Sequence, residues 1–223
     1  MILAIALVLF WIDREKLAKR KAVEATRSQI ANDLYHEINV TLNNIYMLSE
    51  MARIKADNNA PLSKEYIGQI HDKSKTMITA MDDILWSIKP ENDTMEKFFR
   101  RMRELADALS HETEASISIS IADKAKDLTP NAKHKLLFYL IFKEALQAVT
   151  VQAGGRETTI EVDLVKGNLL FRLHDPVAQF DKNNPAIAAS IKTIQERAGQ
   201  LDADLDIEGN HKGVSITLIT PAQ

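Results

Sequence analysis

His36 and Glu37 stand side by side in a stretch without proline or glycine, and this pair is the part of the chain best suited to chemistry. An exposed imidazole is partly unprotonated near neutral pH and can attack a phosphoryl group. A carboxylate beside it can hold the ring or accept its proton. The opposing reading is that His36 is a solvated helix-surface residue with no role. Tyr35 is not expected to serve as an acceptor. His71, His111, His134, His174 and His211 lack ligand-like spacing and are read as structural or exposed. No metal site is expected.

The 223-residue chain is long enough for one or two domains. Its content, 45% hydrophobic and 26% charged, is ordinary for a soluble protein. A net charge of −3 gives no reason to expect a nucleic-acid partner. With no cysteine the chain forms neither disulfides nor thiolate metal sites. Its 7 glycines are about half the usual share, which argues against glycine loops built to cradle phosphates.

Met1 to Ile12 is apolar throughout and is followed by Asp13, Arg14 and the basic residues Lys16, Lys19, Arg20 and Lys21. Twelve helical residues at about 1.5 Å each fall well short of a bilayer core of about 30 Å. Residues 1–12 are therefore read as the cropped end of a transmembrane helix, with the cations marking the cytoplasmic face of the inner membrane. A signal-peptide core or a buried helix are the other readings. Against the first, no basic region precedes the apolar one and no small-residue cleavage site follows it.

The elements that must position His36 are helical. Val23, Ile30, Leu34, Ile38, Leu42, Ile45, Leu48 and Met51 form one stripe of a long amphipathic helix. The two four-residue steps from Ile30 to Ile38 relax a strict heptad next to His36. Asp57 to Pro61 breaks this helix. A second follows, with Ser63 as a plausible N-cap and a seam of Ile67, Ile70, Ser74, Met77, Met81, Ile84 and Ile88 in alternating steps of three and four. A single hairpin cannot bury both stripes, so residues 13–93 predict a dimeric four-helix bundle.

Residues 94–223 read as a second, α/β domain, giving an α+β chain overall. A helix is expected from about Thr94 to Ser110, capped by Asp93 or Thr94. Ser116 to Ile121 alternates strictly, as a half-buried strand does. Thr129-Pro130 opens an apolar helix running through Gln152, with Pro130 in its first turn. Ile160–Val165 and Leu169–Leu173 predict a hairpin around Lys166-Gly167-Asn168. A helix over roughly Ala186–Leu201 and strands at Ala203–Ile207 and Val214–Ile219 complete the pattern.

In this order the segments Ile30-Ala31-Asn32-Asp33-Leu34, Asp83 to Asp93, Arg101-Met102-Arg103-Glu104 and Phe142-Lys143-Glu144-Ala145-Leu146 are similar to one family. The chain beyond residue 20 resembles the transmitter region of sensor histidine kinases, in the subfamily related to nitrate and membrane-fluidity sensors. The resemblance implies a dimerisation and phosphoacceptor hairpin followed by a histidine-kinase ATPase domain. Aligned without a gap, the subfamily's Asp-Leu-His-Asp-Glu places Tyr35 at the phosphoacceptor and His36 at the neighbouring acidic position. His36-Glu37-Ile38-Asn39 followed by Leu42 instead matches the commoner H-box of other histidine kinases. One residue is about 100° around a helix, so the two alignments aim the imidazole at different surfaces.

The family holds Mg-ATP with four features, and the resemblance locates all four. In the asparagine-helix run, Glu144 remains, but Ala148 stands where an asparagine would hold magnesium, and Val151 and Gln152 stand at the lysine and histidine positions. Alanine offers a hard cation no oxygen. Asp175, the adenine-binding aspartate, remains, while Val177 and Gln179 replace the glycines that follow it. Glu196-Arg197-Ala198 is present, but the lid reads Ala188-Ala189-Ser190, with Thr193 at the asparagine position. Gly213-Val214-Ser215 keeps the last motif in part.

The core positions stay apolar while the polar site positions do not stay polar. The expectation is a membrane-tethered pseudokinase that binds no cofactor. It would act as a histidine phosphotransfer protein through His36 or as a scaffold for a response-regulator receiver domain. It would be a homodimer or a heterodimer with a paralogous kinase. The alternative is an active kinase that autophosphorylates on His36 with Mg-ATP, using Glu144 and Asp175. A purely structural coiled-coil dimer is the third reading.

Overall fold

The structure, a computed structural model, describes residues 40–210 and 213–222 together with Trp11, Arg14, Ala25 and Ile38. Tyr35, His36, Glu37 and His211 lie outside the described residues, as does most of the apolar segment 1–12. The chain divides into two compact units, Met1–Ile88 and Lys89–Gln223. No helix among the described residues is long and apolar enough to cross a membrane.

In the first unit, helix α1 runs through residues 40–55 and helix α2 spans Ala60–Ile88. The turn between them corrects the expected cap. Asn59 Oδ1, not Ser63, accepts from the Leu62 amide at 3.2 Å. Ser63 lies one turn inside α2, buried, and its hydroxyl donates to the Ala52 carbonyl at 2.9 Å. Both residues are able to cap. Pro61, with its missing N–H, fits the first turn and moves the start of the helix upstream of Ser63. Within one chain much apolar surface stays exposed: Ile67 is 55% exposed, Ile78 67% and Leu85 50%, and Tyr46 and Met47 on α1 are also exposed.

The second unit begins with a 3-10 turn, Pro90–Asn92. Lys135, only 3% exposed, ties the turn to the core by donating to the Asp93 carbonyl at 3.0 Å and pairing with its carboxylate at 3.1 Å. Helix α3, Met95–Thr113, is capped by Thr94, which accepts from the Lys97 amide. It leads into strand β1, Ser116–Ile121, and a short helix α4, Asp123–Lys126. Helix α5 spans Ala132–Gln147 and widens into a π-helical turn, Ala148–Gln152. Its cap is Asn131, whose side chain accepts from the His134 amide, so Pro130 lies outside the helix rather than in its first turn.

Strand β2, Glu157–Val165, and strand β3, Asn168–Asp175, form a hairpin. Its two-residue turn is Lys166-Gly167, with φ of 52° and 81°. Positive φ at both central residues suits the twist of the flanking strands, and Asn168 belongs to the strand. Helix α6, Pro185–Gln200, and strands β4, Asp204–Asn210, and β5, Gly213–Pro221, follow. The five-stranded sheet has the order β1-β2-β3-β5-β4, with β1 and β2 parallel and the remaining pairs antiparallel.

Alternating burial along β2, β3 and β5 gives the sheet one apolar face. Helices α3 and α5 supply the other side of the core. Phe98 meets Phe138 edge-on at 5.9 Å, and Phe171 meets Phe138 at 5.9 Å and Phe142 at 6.1 Å. These rings are at most 1% exposed. Edge-to-face pairs align the positive ring edge with the negative ring face, adding about 0.5–1.5 kcal/mol each to the burial term.

Candidate functional site

Asp175 ends β3 and is wholly buried. Its Oδ1 accepts from the Val177 amide at 2.9 Å and the Ala178 amide at 2.8 Å. Its Oδ2 accepts from the Glu157 amide at 3.0 Å and the Thr158 hydroxyl at 2.9 Å. A carboxylate has about four acceptor sites, and these four bonds fill them. The carboxylate closes its own loop and staples it to the start of β2.

The surroundings leave it little room. A Cβ on Gly155 would stand 2.7 Å from Asp175 Oδ2, and one on Gly213 would stand 2.9 Å from the Asp175 carbonyl. The glycine at the start of the fourth motif is therefore required by a protein backbone that passes close to it. The loop after Asp175 is bound down along its length. The Gln179 amide donates to the Ala153 carbonyl at 2.8 Å, Phe180 is buried against Gly209, and Lys182 donates to the Ile207 carbonyl at 2.8 Å.

Glu144 is likewise engaged. Its Oε1 accepts from the Ser190 hydroxyl at 2.7 Å, and its Oε2 lies 3.7 Å from Arg197. Ser190 also meets the Gln152 side chain at 3.1 Å. The residues aligned with the glycine lid, Ala188 to Ser190, are helical and belong to α6, which packs along α5. Ser190 bridges the two helices.

The residues present do not fit Mg-ATP. Ala148, which the resemblance puts at the magnesium position, is wholly buried in the π-helical turn. Val151 and Val177, at a lysine and a glycine position, are exposed and apolar. No cluster of three or more His, Asp or Glu suited to a metal ion occurs among the described residues. Of the residues expected at the site, the structure places Asp175 and Glu144 on neighbouring elements, each in its own internal network. Sequence reasoning missed Thr158, Gln152 and Ser190 as partners. Thr158 comes from a different strand, and only the strict alternation of β2 signals that it points inward.

His134, at the start of α5, is buried, and burial pushes its imidazole below the usual histidine range. Its Nε2 lies 3.4 Å from the Thr220 hydroxyl. His71, His111 and His174 are exposed.

A helical N-terminal unit joined to this mixed α/β sheet is the fold of histidine-kinase transmitter regions. The chain is similar to the blue-light activated histidine kinase EL346 of Erythrobacter litoralis, with a TM-score of 0.53 and 12% identity over 87% of this chain. It spans 59% of that protein's length. The histidine kinase domain of the same protein gives a TM-score of 0.51 at 12% identity, covering 86% of this chain and 94% of the domain. The histidine kinase AdeS of Acinetobacter baumannii gives 0.50 at 7% identity, covering 82% and 97%. No protein-family model matches the chain, and no curated protein matches its sequence.

Proposed function

We propose that the chain is a two-component signalling protein of the histidine-kinase type whose ATPase-like domain no longer takes nucleotide. It is a pseudokinase related to the nitrate and membrane-fluidity sensors. The observation that carries this reading is Asp175. The residue that would recognise adenine has every acceptor site filled by the protein's own N–H and O–H groups. Releasing it for a ligand would leave the buried Thr158 hydroxyl and Ala178 amide unsatisfied at about 1–3 kcal/mol each.

In this reading the hairpin is the working part. Its exposed apolar faces pair with a second hairpin, from the same chain or a paralogous kinase, to form a four-helix bundle. His36, with Glu37 beside it, exchanges phosphoryl groups with the receiver domain of a response regulator. The apolar segment 1–12 holds the assembly at the cytoplasmic face of the inner membrane.

The test is acid-labile phosphate on the full chain, read from two donors. Incubation with a phosphorylated receiver domain is expected to label the wild type and leave His36→Ala unlabelled. Incubation with Mg-ATP is expected to label neither. Label from ATP would establish the active-kinase alternative. Label from neither donor would leave the protein a scaffold.

A further inference from the structure

The two edges of the sheet differ in how they are protected. On β4 the exposed positions are Asp204, Asp206 and Glu208. A row of like charges repels a second strand laid alongside it. On β1 the exposed positions are Ser116, Ser118 and Ser120, alternating with half-buried Ile117, Ile119 and Ile121. This edge has no charge, proline or lysine, and its register to β2 is unbroken over the whole strand. It carries none of the charges, proline or bulges that commonly blunt an edge strand.

The hydrogen-bonding direction follows from β2. The Ser116 amide donates to the Arg156 carbonyl at 2.8 Å, and the Ala122 amide to the Val162 carbonyl at 2.9 Å. With a period of two, the serine amides face β2 and those of Ile117, Ile119 and Ile121 face outward. No strand lies on that side among the described residues. We propose that β1 is a self-association surface, at which two copies of this chain pair their β1 strands antiparallel about a two-fold axis through Ile119.

The sequence of β1 is what selects a second copy as the occupant. Around Ile119 it is a near-palindrome, so the pairing places Ile119 opposite Ile119, Ile117 opposite Ile121 and Ser118 opposite Ser120. Every pair is of matched type and none carries a charge. Opposed isoleucines bring their outward N–H and C=O groups together as hydrogen-bonded pairs. The half-buried isoleucine rows of the two copies become one continuous apolar strip. The contact is isologous and therefore closes on itself. It is separate from the hairpin faces, so its loss removes one step of assembly and leaves the other.

Two measurements on the full chain test this. The protein has no cysteine, so Ser118→Cys and Ser120→Cys each introduce a single thiol. Directly opposite residues in a pair without backbone hydrogen bonds have Cα atoms about 4.5 Å apart, within disulfide reach. Under mild oxidation, a mixture of the two variants is expected to form linked two-chain species several-fold faster than either variant alone. An absence of excess in the mixture would overturn the register and the proposal. In sedimentation equilibrium, Ser118→Lys with Ser120→Lys sets lysines opposite each other at exposed positions that the fold does not need. It is expected to weaken one association step at least tenfold. A mass distribution identical to wild type across the concentration range would likewise overturn the proposal.

Discussion

The sheet-facing side of α5 and its C-terminal end obey different constraints. Along its sheet-facing side, Phe138 and Phe142 interlock with Phe98 and Phe171, and all four rings are essentially inaccessible. At its C-terminal end, where the proposed function puts a lost nucleotide site, the polar side chains are bonded to one another, with Ser190 bridging Glu144 to Gln152. The sheet-facing side is packed and the C-terminal end is bonded internally. In the proposed reading, this contrast teaches that the packing of the unit can be separated from the binding of a ligand. Buried rings and sheet ladders hold this unit together.

The contrast can be broken at either end. Phe142→Ala removes a wholly buried ring that touches both Phe171 and Tyr139. It is expected to cost about 3–5 kcal/mol, measured by urea unfolding. A cost below about 1 kcal/mol would mean that the core is not what holds this unit. Asp175→Asn tests the opposite end. The amide oxygen can keep the Val177 and Ala178 bonds, but its NH₂ then faces the Glu157 N–H, which loses its acceptor. The expected cost is about 2 kcal/mol. A neutral substitution would show that the carboxylate is not a staple and is available to a ligand.

Ser190→Ala sharpens the comparison at the α5–α6 contact. It deletes the hydroxyl shared by Glu144 and Gln152 and is expected to cost about 1 kcal/mol. A gain in stability would argue that the bridge strains the helices rather than joining them.

The smallest effect concerns His134. Burial lowers its pKa in the folded state, so the unfolded chain binds the extra proton first as pH falls. The resulting stability is present above the ordinary histidine pKa of 6.5. It is lost as pH falls below that value towards the lowered folded pKa. His134→Gln is expected to show a shallower decline of unfolding free energy below about pH 6.5 than wild type. Parallel curves would show that the imidazole is not the group responsible.

Much of the scaffold is legible in the residues. The alternation of Ser116–Ile121 marks β1 to the residue, because a strand half-covered by helices has a period of two. The turn at Lys166-Gly167 is readable from its glycine. The helix starts are less so. Asn59, Ser63, Thr94, Pro130 and Asn131 are all plausible punctuation, and which one caps depends on the path of the chain around it. Ser63 turned inward to Ala52 and Asn131 displaced Pro130 for this reason. The π-helical turn at Ala148–Gln152 has no compositional mark at all.

The site was half legible. That Ala148, Val177 and Gln179 differ from the asparagine and glycines the resemblance implies is visible in one dimension. The fate of Asp175 is not, because its partners arrive from Glu157 and Thr158 on another strand. Asp175 looks like a ligand group in sequence, and the structure adds four bonds to it from within the protein.

The central claim is that the ATPase-like unit keeps its fold without its nucleotide, and it is tested most directly by the melting temperature of the full chain with and without millimolar Mg-ATP. A ligand at about 100 times its dissociation constant stabilises the domain it binds by about 2.7 kcal/mol, which is several degrees for a domain of this size. The account predicts the same melting temperature at every ATP concentration. An upward shift that saturates with ATP would contradict it, and would return Glu144 and Asp175 to the role of nucleotide ligands.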